Sequence, residues 1–271
     1  MPELNQFHLS TKAAENYECQ SVPAIFTPMA EATLSAISLP RRAHVLDVAC
    51  GTGAVARAVA SRLTEPSKIV GADLNPAMVE IANQSVSNDR HDFEFLIAPA
   101  DALPFGDETF EIVFCQHGLQ FFPDKPASLA EMRRVMQVNG KLIVTCWAAI
   151  PPFFQVVREV LARHLGEDEA KTAVAPFIWN DGAQISSLIA AAGFKCPEPT
   201  QLNVDRKLSA APEAMRRGLL TTPNEAALLA AGEDTIDTIV SEVLDGVAKY
   251  REGQMLMMPQ QAHLFQAVAV Q

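Results

Sequence analysis

The stretch His44-Val45-Leu46-Asp47-Val48-Ala49-Cys50-Gly51-Thr52-Gly53-Ala54-Val55-Ala56 decides the fold. Val45, Leu46 and Val48 are apolar, and two of them are β-branched, as a buried strand requires. Gly51 and Gly53 break that pattern and permit backbone conformations that a Cβ forbids. From Ala54 to Leu63 the apolar residues Val55, Ala58, Val59 and Leu63 recur at helical spacing. Strand, glycine turn and helix thus follow one another. A ligand over the turn meets bare backbone N–H groups at a helix N-terminus.

The spacing Gly51-x-Gly53-x-x-Ala56 fits a dinucleotide fingerprint, whose last position tolerates Ala. Asp47, four residues before Gly51, tilts the reading. A carboxylate facing the turn repels a pyrophosphate and favours a ligand bearing an ammonium or sulfonium group. S-adenosylmethionine (SAM) carries both. The alternative is an ordinary acid at a strand end.

Lys68-Ile69-Val70-Gly71-Ala72-Asp73 reads as a second strand, and Asp73 stands 20 residues after Gly53 (73 − 53). An acid at that distance accepts hydrogen bonds from ribose hydroxyls, for NAD and SAM alike. Asn75-Pro76 opens a helix, with Leu74 and Met78 as candidate adenine contacts. Phe93 to Ile97 is a third strand. Beyond it, Asp101 and the Ala102 N–H are candidates for the adenine edge. Thr109 to Cys115 is a fourth strand. The loop after it, Gln116-His117-Gly118-Leu119-Gln120-Phe121-Phe122, occupies the edge where open α/β sheets carry function. A helix is expected to about Val138, stopped by Asn139-Gly140. Lys141 to Trp147 is a fifth, centrally buried strand.

Upstream, Lys12 to Tyr17 and Pro28 to Ile37 read as helices joined by a link that Pro23 and Pro28 punctuate. Such a segment can pack over the cofactor mouth, with Tyr17 and Phe26 as contacts. Downstream, helices are expected over Phe153 to Leu165, Gln184 to Ala192 and most of Pro212 to Tyr250. A sixth strand is expected around Gln201 to Val204, and His263 to Val270 closes the chain as a strand. The expectation is one domain over 1–271: an N-terminal cap at 1–43, a cofactor-binding core at 44–147, and substrate-side insertions at 148–183 and 209–261.

Composition sets broad limits. The hydrophobic share is 49% against 20% charged, which is globular. A net charge of −11 argues against a broad phosphate-binding surface, so nucleic acid is not an expected partner. The odd count of 5 Cys, without a C-x-x-C pair, reads as reduced thiols and a cytoplasmic setting. Met1 to Ser10 lacks the pattern of a leader, and no apolar run reaches membrane-spanning length. The His residues show no metal-ligand spacing, so no metal is expected.

Four blocks in order resemble class I SAM-dependent methyltransferases, nearest the ubiquinone/menaquinone C-methyltransferase group. They are Val45 to Gly53, Gly71-Ala72-Asp73-Leu74-Asn75-Pro76-Ala77-Met78, Ala100-Asp101-Ala102-Leu103-Pro104-Phe105 and Gly140-Lys141-Leu142. The resemblance covers residues 40–150 and implies a Rossmann-like, seven-stranded α/β sheet, mostly parallel, with an antiparallel last strand and helices on both faces. It also implies that Asp47, Ala49, Gly51 and Gly53 line the methionine end of SAM, that Asp73 binds the ribose, and that Gln116 or His117 borders the methyl group.

The expected activity is methyl transfer by in-line displacement to a small, apolar or aromatic metabolite. Alignment in a dry pocket supplies most of the catalysis. His117 is the candidate base, or it only shapes the pocket. Gln120, Phe121, Trp147 and Phe153 are candidate acceptor-pocket residues. The alternatives are a non-catalytic SAM-binding protein and a nicotinamide-dependent oxidoreductase. A monomer or homodimer is expected.

Overall fold

A computed structural model describes residues 10–86 and 90–270. Apart from Ser10, the segment read for a leader lies outside the described residues.

Five parallel strands form the centre of the sheet: β1 (His44–Val48), β2 (Lys68–Asp73), β3 (Asp92–Ile97), β4 (Phe110–Gln116) and β5 (Met136–Trp147). Their spatial order is β3-β2-β1-β4-β5. The direction of winding reverses between β2 and β4, on either side of β1. This is the switch point at which open α/β sheets bind ligands, at the carboxyl ends of the strands. Alternate residues of β1 divide two apolar layers. Val45 joins the layer beneath α2 (Thr27–Ala36) and α3 (Ala54–Arg62). Leu46 and Val48 join the layer beneath α5 (Lys125–Val135) and α8 (Gly182–Ala191). Of the remaining helices in chain order, α1 spans Thr11–Asn16, α4 Pro76–Gln84, α6 Pro152–His164 and α7 Glu167–Val174.

The sheet has nine strands where seven were expected. The sixth position is split into β6 (Phe194–Lys195) and β7 (Thr200–Ser209). Pro197 and Pro199 fall in the gap, where neither can donate to a ladder. A two-residue β8 (Arg251–Glu252) adds a hairpin arm. The last strand, β9 (Met255–Ala269), runs antiparallel to β5 as expected, but starts eight residues before His263 (263 − 255). β5 pairs only with Ala262 to Val268 of β9, so Pro259 faces an edge that needs no N–H.

Two smaller boundaries also differ. The helix expected to reach Val138 ends at Val135. Asn139-Gly140 then forms an irregularity inside β5, where the register against β4 shifts between Phe110 and Ile112. The proline-punctuated link upstream is a π-helical segment, Tyr17–Phe26, with Pro23 inside it. Three further helices, α9 (Pro212–Leu219), α10 (Glu225–Ala231) and α11 (Glu233–Gly246), pack with α6 around a third apolar cluster. The stripe Ile236, Ile239, Val240 and Val243 faces inward there.

Candidate functional site

The carboxyl end of β1 carries a buried acid with nothing to satisfy it. Asp47 is 1% exposed, and neither carboxylate oxygen has a hydrogen-bond partner. Burial, and secondarily the charge of Asp73, pushes its pKa well above the usual carboxylate range; the nearby Ala56 backbone, outside hydrogen-bond geometry, opposes this only in part. Beyond it the chain turns sharply. Ala49, Gly51 and Gly53 take φ of +57°, +54° and +85°, and Gly53 caps α3. These left-handed conformations suit the glycines and strain Ala49.

Asp73, at the end of β2, holds this turn. Its Oδ2 accepts from the Gly51 N–H at 2.8 Å and its Oδ1 from the Asn75 N–H at 2.9 Å. Burial nonetheless raises its pKa. The two acids therefore differ in kind. Asp73 is bound by backbone donors, whereas Asp47 has free lone pairs in a dry place. An uncompensated buried carboxylate is costly unless a cation completes it. Facing a glycine turn at a helix N-terminus, it fits the ammonium of an amino-acid group and opposes a pyrophosphate.

The segment Tyr17–Phe26 closes over this acid. Tyr17, Phe26, Asp47, Ala49, Gly51 and Gln116 share a cavity of about 20 Å³, room for a single water. The rings of Tyr17 and Phe26 lie 5.1 Å apart. Two ties hold the segment down. Arg57 donates to the Thr52 carbonyl at 2.6 Å and to Glu18 at 2.9 Å, linking α3, the turn and the segment. Gln116 donates to the Phe26 carbonyl at 3.1 Å.

His117 sits at the carboxyl end of β4 with φ +52°, so two strained non-glycine residues flank the site. Its N–H donates to the Thr145 carbonyl at 2.9 Å. Its ring stacks on Trp147 at 4.0 Å and 19°. Both ring nitrogens are buried and unpartnered, and burial lowers the pKa to about 3. The imidazole is neutral at physiological pH. Gly118 makes the kink possible, since a Cβ there would lie 2.6 Å from the Ala49 Cβ. Gln120 is buried with its whole amide unpartnered, and Phe121 is half-buried.

Not every expected residue joins this group. Leu74 is 49% exposed, and Asp101 and Ala102 are exposed in the loop beyond β3. They sit on the same strand-end edge, outside the cavity around Asp47. Met78 is buried within α4. Phe153 lies apart, against Arg206. Sequence reasoning missed Thr52 and Thr145, whose buried hydroxyls are unpartnered, and Arg206. Thr145 lies inside an apolar strand, where only its polarity marked it. Among the described residues, no cluster of three or more His, Cys, Asp or Glu is arranged to hold a metal ion. No described helix is long and apolar enough to cross a membrane.

The chain is similar to known proteins in sequence and in fold. A model described as methyltransferase domain matches residues 46–144, from Leu46 in β1 to Val144 in β5. A demethylmenaquinone methyltransferase of Lactiplantibacillus plantarum is 35% identical over 113 residues, 41% of this chain and 48% of that protein. The chain spans about half the length of the first curated relatives it matches. A demethylmenaquinone methyltransferase of Clavibacter sepedonicus is 29% identical over 216 residues, 72% of this chain and 81% of that one. Among solved structures, a Haemonchus contortus phosphoethanolamine N-methyltransferase 2 in complex with S-adenosyl-L-methionine superposes with a TM-score of 0.60 at 18% identity. It covers 99% of this chain and 59% of that one, which is a likeness of fold. The switch-point sheet, the glycine turn and these matches agree: residues 46–144 match a methyltransferase domain, and the chain resembles class I SAM-dependent methyltransferases of the ubiquinone/menaquinone C-methyltransferase group.

Proposed function

We propose that this chain transfers a methyl group from SAM to a small molecule by in-line displacement. The observation that carries the reading is Asp47, a buried carboxylate without a partner beside a glycine turn. In this reading Asp47 receives the amino group of the cofactor. Ala49, Gly51 and Gly53 present backbone to its amino-acid end, and Asp73 meets the ribose. Leu74, Met78, Asp101 and Ala102 serve the adenine side. Tyr17 and Phe26 belong to a cap, described over residues 10–43 and tied to Gln116 of β4, that must lift for the cofactor to enter a cavity now the size of one water.

When bound, SAM supplies an electrophilic methyl carbon on a sulfonium leaving group. The acceptor's nucleophilic atom forms the new bond to carbon, and the carbon–sulfur pair leaves with sulfur as S-adenosylhomocysteine. Any proton on the acceptor passes to water or to a base. His117 is poorly suited to that last task, because its neutral ring takes up a second proton only below about pH 3. It is better suited to hydrogen-bond and orient the acceptor, held rigid by Trp147. The closed, aromatic surroundings of His117, Trp147 and Phe26 exclude water from the reacting centre.

The acceptor in this reading is a small, largely apolar molecule. The relatives' quinone-related names support an aromatic one, and Gln120, Phe121, Trp147 and Phe153 are its candidate contacts. The insertions 148–183 and 209–261 roof it. Methylation of a panel of quinols, phenols, amines and apolar acids with methyl-labelled SAM tests the reading. Label in an acceptor supports it. SAM binding without label in any acceptor would favour a non-catalytic binder, and NAD binding without SAM binding would overturn it.

A further inference from the structure

A second, wider space, partly open to solvent, lies on the other side of the cap segment. A cavity of about 390 Å³ lies between β7, α9 and the segment Tyr17–Phe26. The same segment therefore lines both spaces: Tyr17 and Phe26 face the Asp47 cavity, and Pro23 and Ala24 face this one. A set of packed rings lies between them, beginning at Phe26, 6.3 Å from His117. Trp147 stacks on His117, Phe177 lies 5.2 Å from Trp147, Phe154 lies 4.5 Å from Phe177, and Phe153 lies 5.0 Å from Phe154.

Arg206 ends that set. It is only 7% exposed and lines the cavity. Its Nε and Nη1 are buried without hydrogen-bond partners, and among the described residues no carboxylate pairs with it. Its guanidinium lies over Phe153 at 4.6 Å and Phe154 at 5.3 Å. Cation–π contact offsets only part of the cost of drying a guanidinium. Burial lowers its pKa to about 10, so it stays charged at neutral pH. Gln260 is a second orphan on the same sheet face. It pairs with Val204 in the register that pairs Met258 with Arg206, and its buried amide also lacks any partner.

The charge around this space runs against the rest of the molecule. The chain has 32 acids and 21 bases, yet the cavity is lined by Arg206, Lys207 and Arg217 and by no acid. Its other walls are mostly apolar, with Leu208, Met215 and Phe153 among them. A planar, dry guanidinium with free donors matches a carboxylate or phosphate in two-pronged geometry.

We propose that this cavity holds the far end of the methyl acceptor, whose reacting end Gln120, Phe121 and Trp147 border, and that Arg206 receives an anionic oxygen group, carboxylate or phosphate, on that otherwise apolar molecule. The acceptor part of this rests on the methyl-transfer reading above; the anion site stands on the cavity itself.

The test titrates the full chain, saturated with S-adenosylhomocysteine, with octanoate, octyl phosphate and 1-octanol by calorimetry. The expected result is that one of the two anions binds at least about tenfold tighter than octanol. Which one binds identifies carboxylate or phosphate. Arg206→Met should remove that advantage and Arg206→Lys should keep part of it. Ala214→Phe, which fills the cavity and leaves Arg206 in place, should weaken all three probes. Lys195→Met, at an exposed base outside the cavity, should change affinity less than about threefold. Anions binding no tighter than octanol, or binding unchanged by Arg206→Met and Ala214→Phe, would overturn the proposal. The S-adenosylhomocysteine titration, run first, tests the cofactor reading separately. A labelled-SAM panel pairing apolar acids with their neutral esters tests the acceptor assignment, and label confined to the esters would refute it.

Discussion

Two buried charges of opposite sign face two cavities of this molecule. Asp47 closes the carboxyl end of β1, and Arg206 lies in β7; neither has the partner that a buried charge demands. They differ in what announces them. Asp47 stands four residues before a glycine turn and is visible in the sequence. Arg206 lies two residues past the strand expected around Gln201 to Val204, in a run, Asp205-Arg206-Lys207, that no motif marks. What the pair teaches is that a motif marks a ligand's common part, while the part that varies is marked by burial alone.

The largest expected effect separates ligand binding from stability at the first charge. Asp47→Asn should weaken S-adenosylhomocysteine by about 10- to 100-fold in calorimetry. The ligand-free variant should melt higher than wild type. Asp47 has a raised pKa in the folded protein, so folding favours its protonated form and stability is lost as pH rises through that pKa. Asn removes this loss. A variant that binds normally, or that melts lower, would break the comparison.

Backbone approach comes next. Gly118→Ala should cost about 1–3 kcal/mol in urea unfolding, because the new Cβ collides with Ala49 on the rim of the Asp47 cavity. His117 adds a pH signature. Its folded pKa of about 3 lies below the usual 6.5, so its contribution is complete above about pH 6.5 and is lost as pH falls toward 3. Between pH 7 and 5, wild type should lose roughly 2 kcal/mol more stability than His117→Phe. The smallest effect falls on the second charge. Arg206→Met should leave stability within about 1 kcal/mol of wild type, or above it, since an unpaired buried cation contributes little to folding. Strong destabilisation would make Arg206 a structural residue and dissolve the parallel with Asp47.

The alternation of strand and helix from Val45 to Trp147 was legible because parallel buried strands read as apolar runs. The order of Asp47, Gly51, Gly53 and Asp73 along the switch point was legible for the same reason. The later sheet was not. Pro197 and Pro199 interrupt one strand, whereas Pro259 sits inside another whose β5 side is unpaired there, so the same residue type breaks one strand and is carried by the next. The π-helical form of Tyr17–Phe26 was hidden by Pro23 in the same way. At the site, charge and spacing pointed to Asp47 and Asp73. No spacing could show that the His117 ring is dry and stacked on Trp147, or that Ala49 and His117 share left-handed backbone, because both follow from tertiary packing. Asp101 and Leu74 were read from their places after strands and from the resemblance, and both are exposed on that strand-end edge.

The most direct measurement is titration of wild type and Asp47→Asn with S-adenosylhomocysteine between pH 5 and pH 8, with NAD as the competing ligand. Wild-type affinity should rise with pH as the ligand's ammonium draws the carboxylate into its charged form, while Asp47→Asn binds weakly and with a flat profile. NAD should not bind. Equal affinity of the two proteins at every pH, or NAD binding in place of S-adenosylhomocysteine, would contradict the assignment of this site.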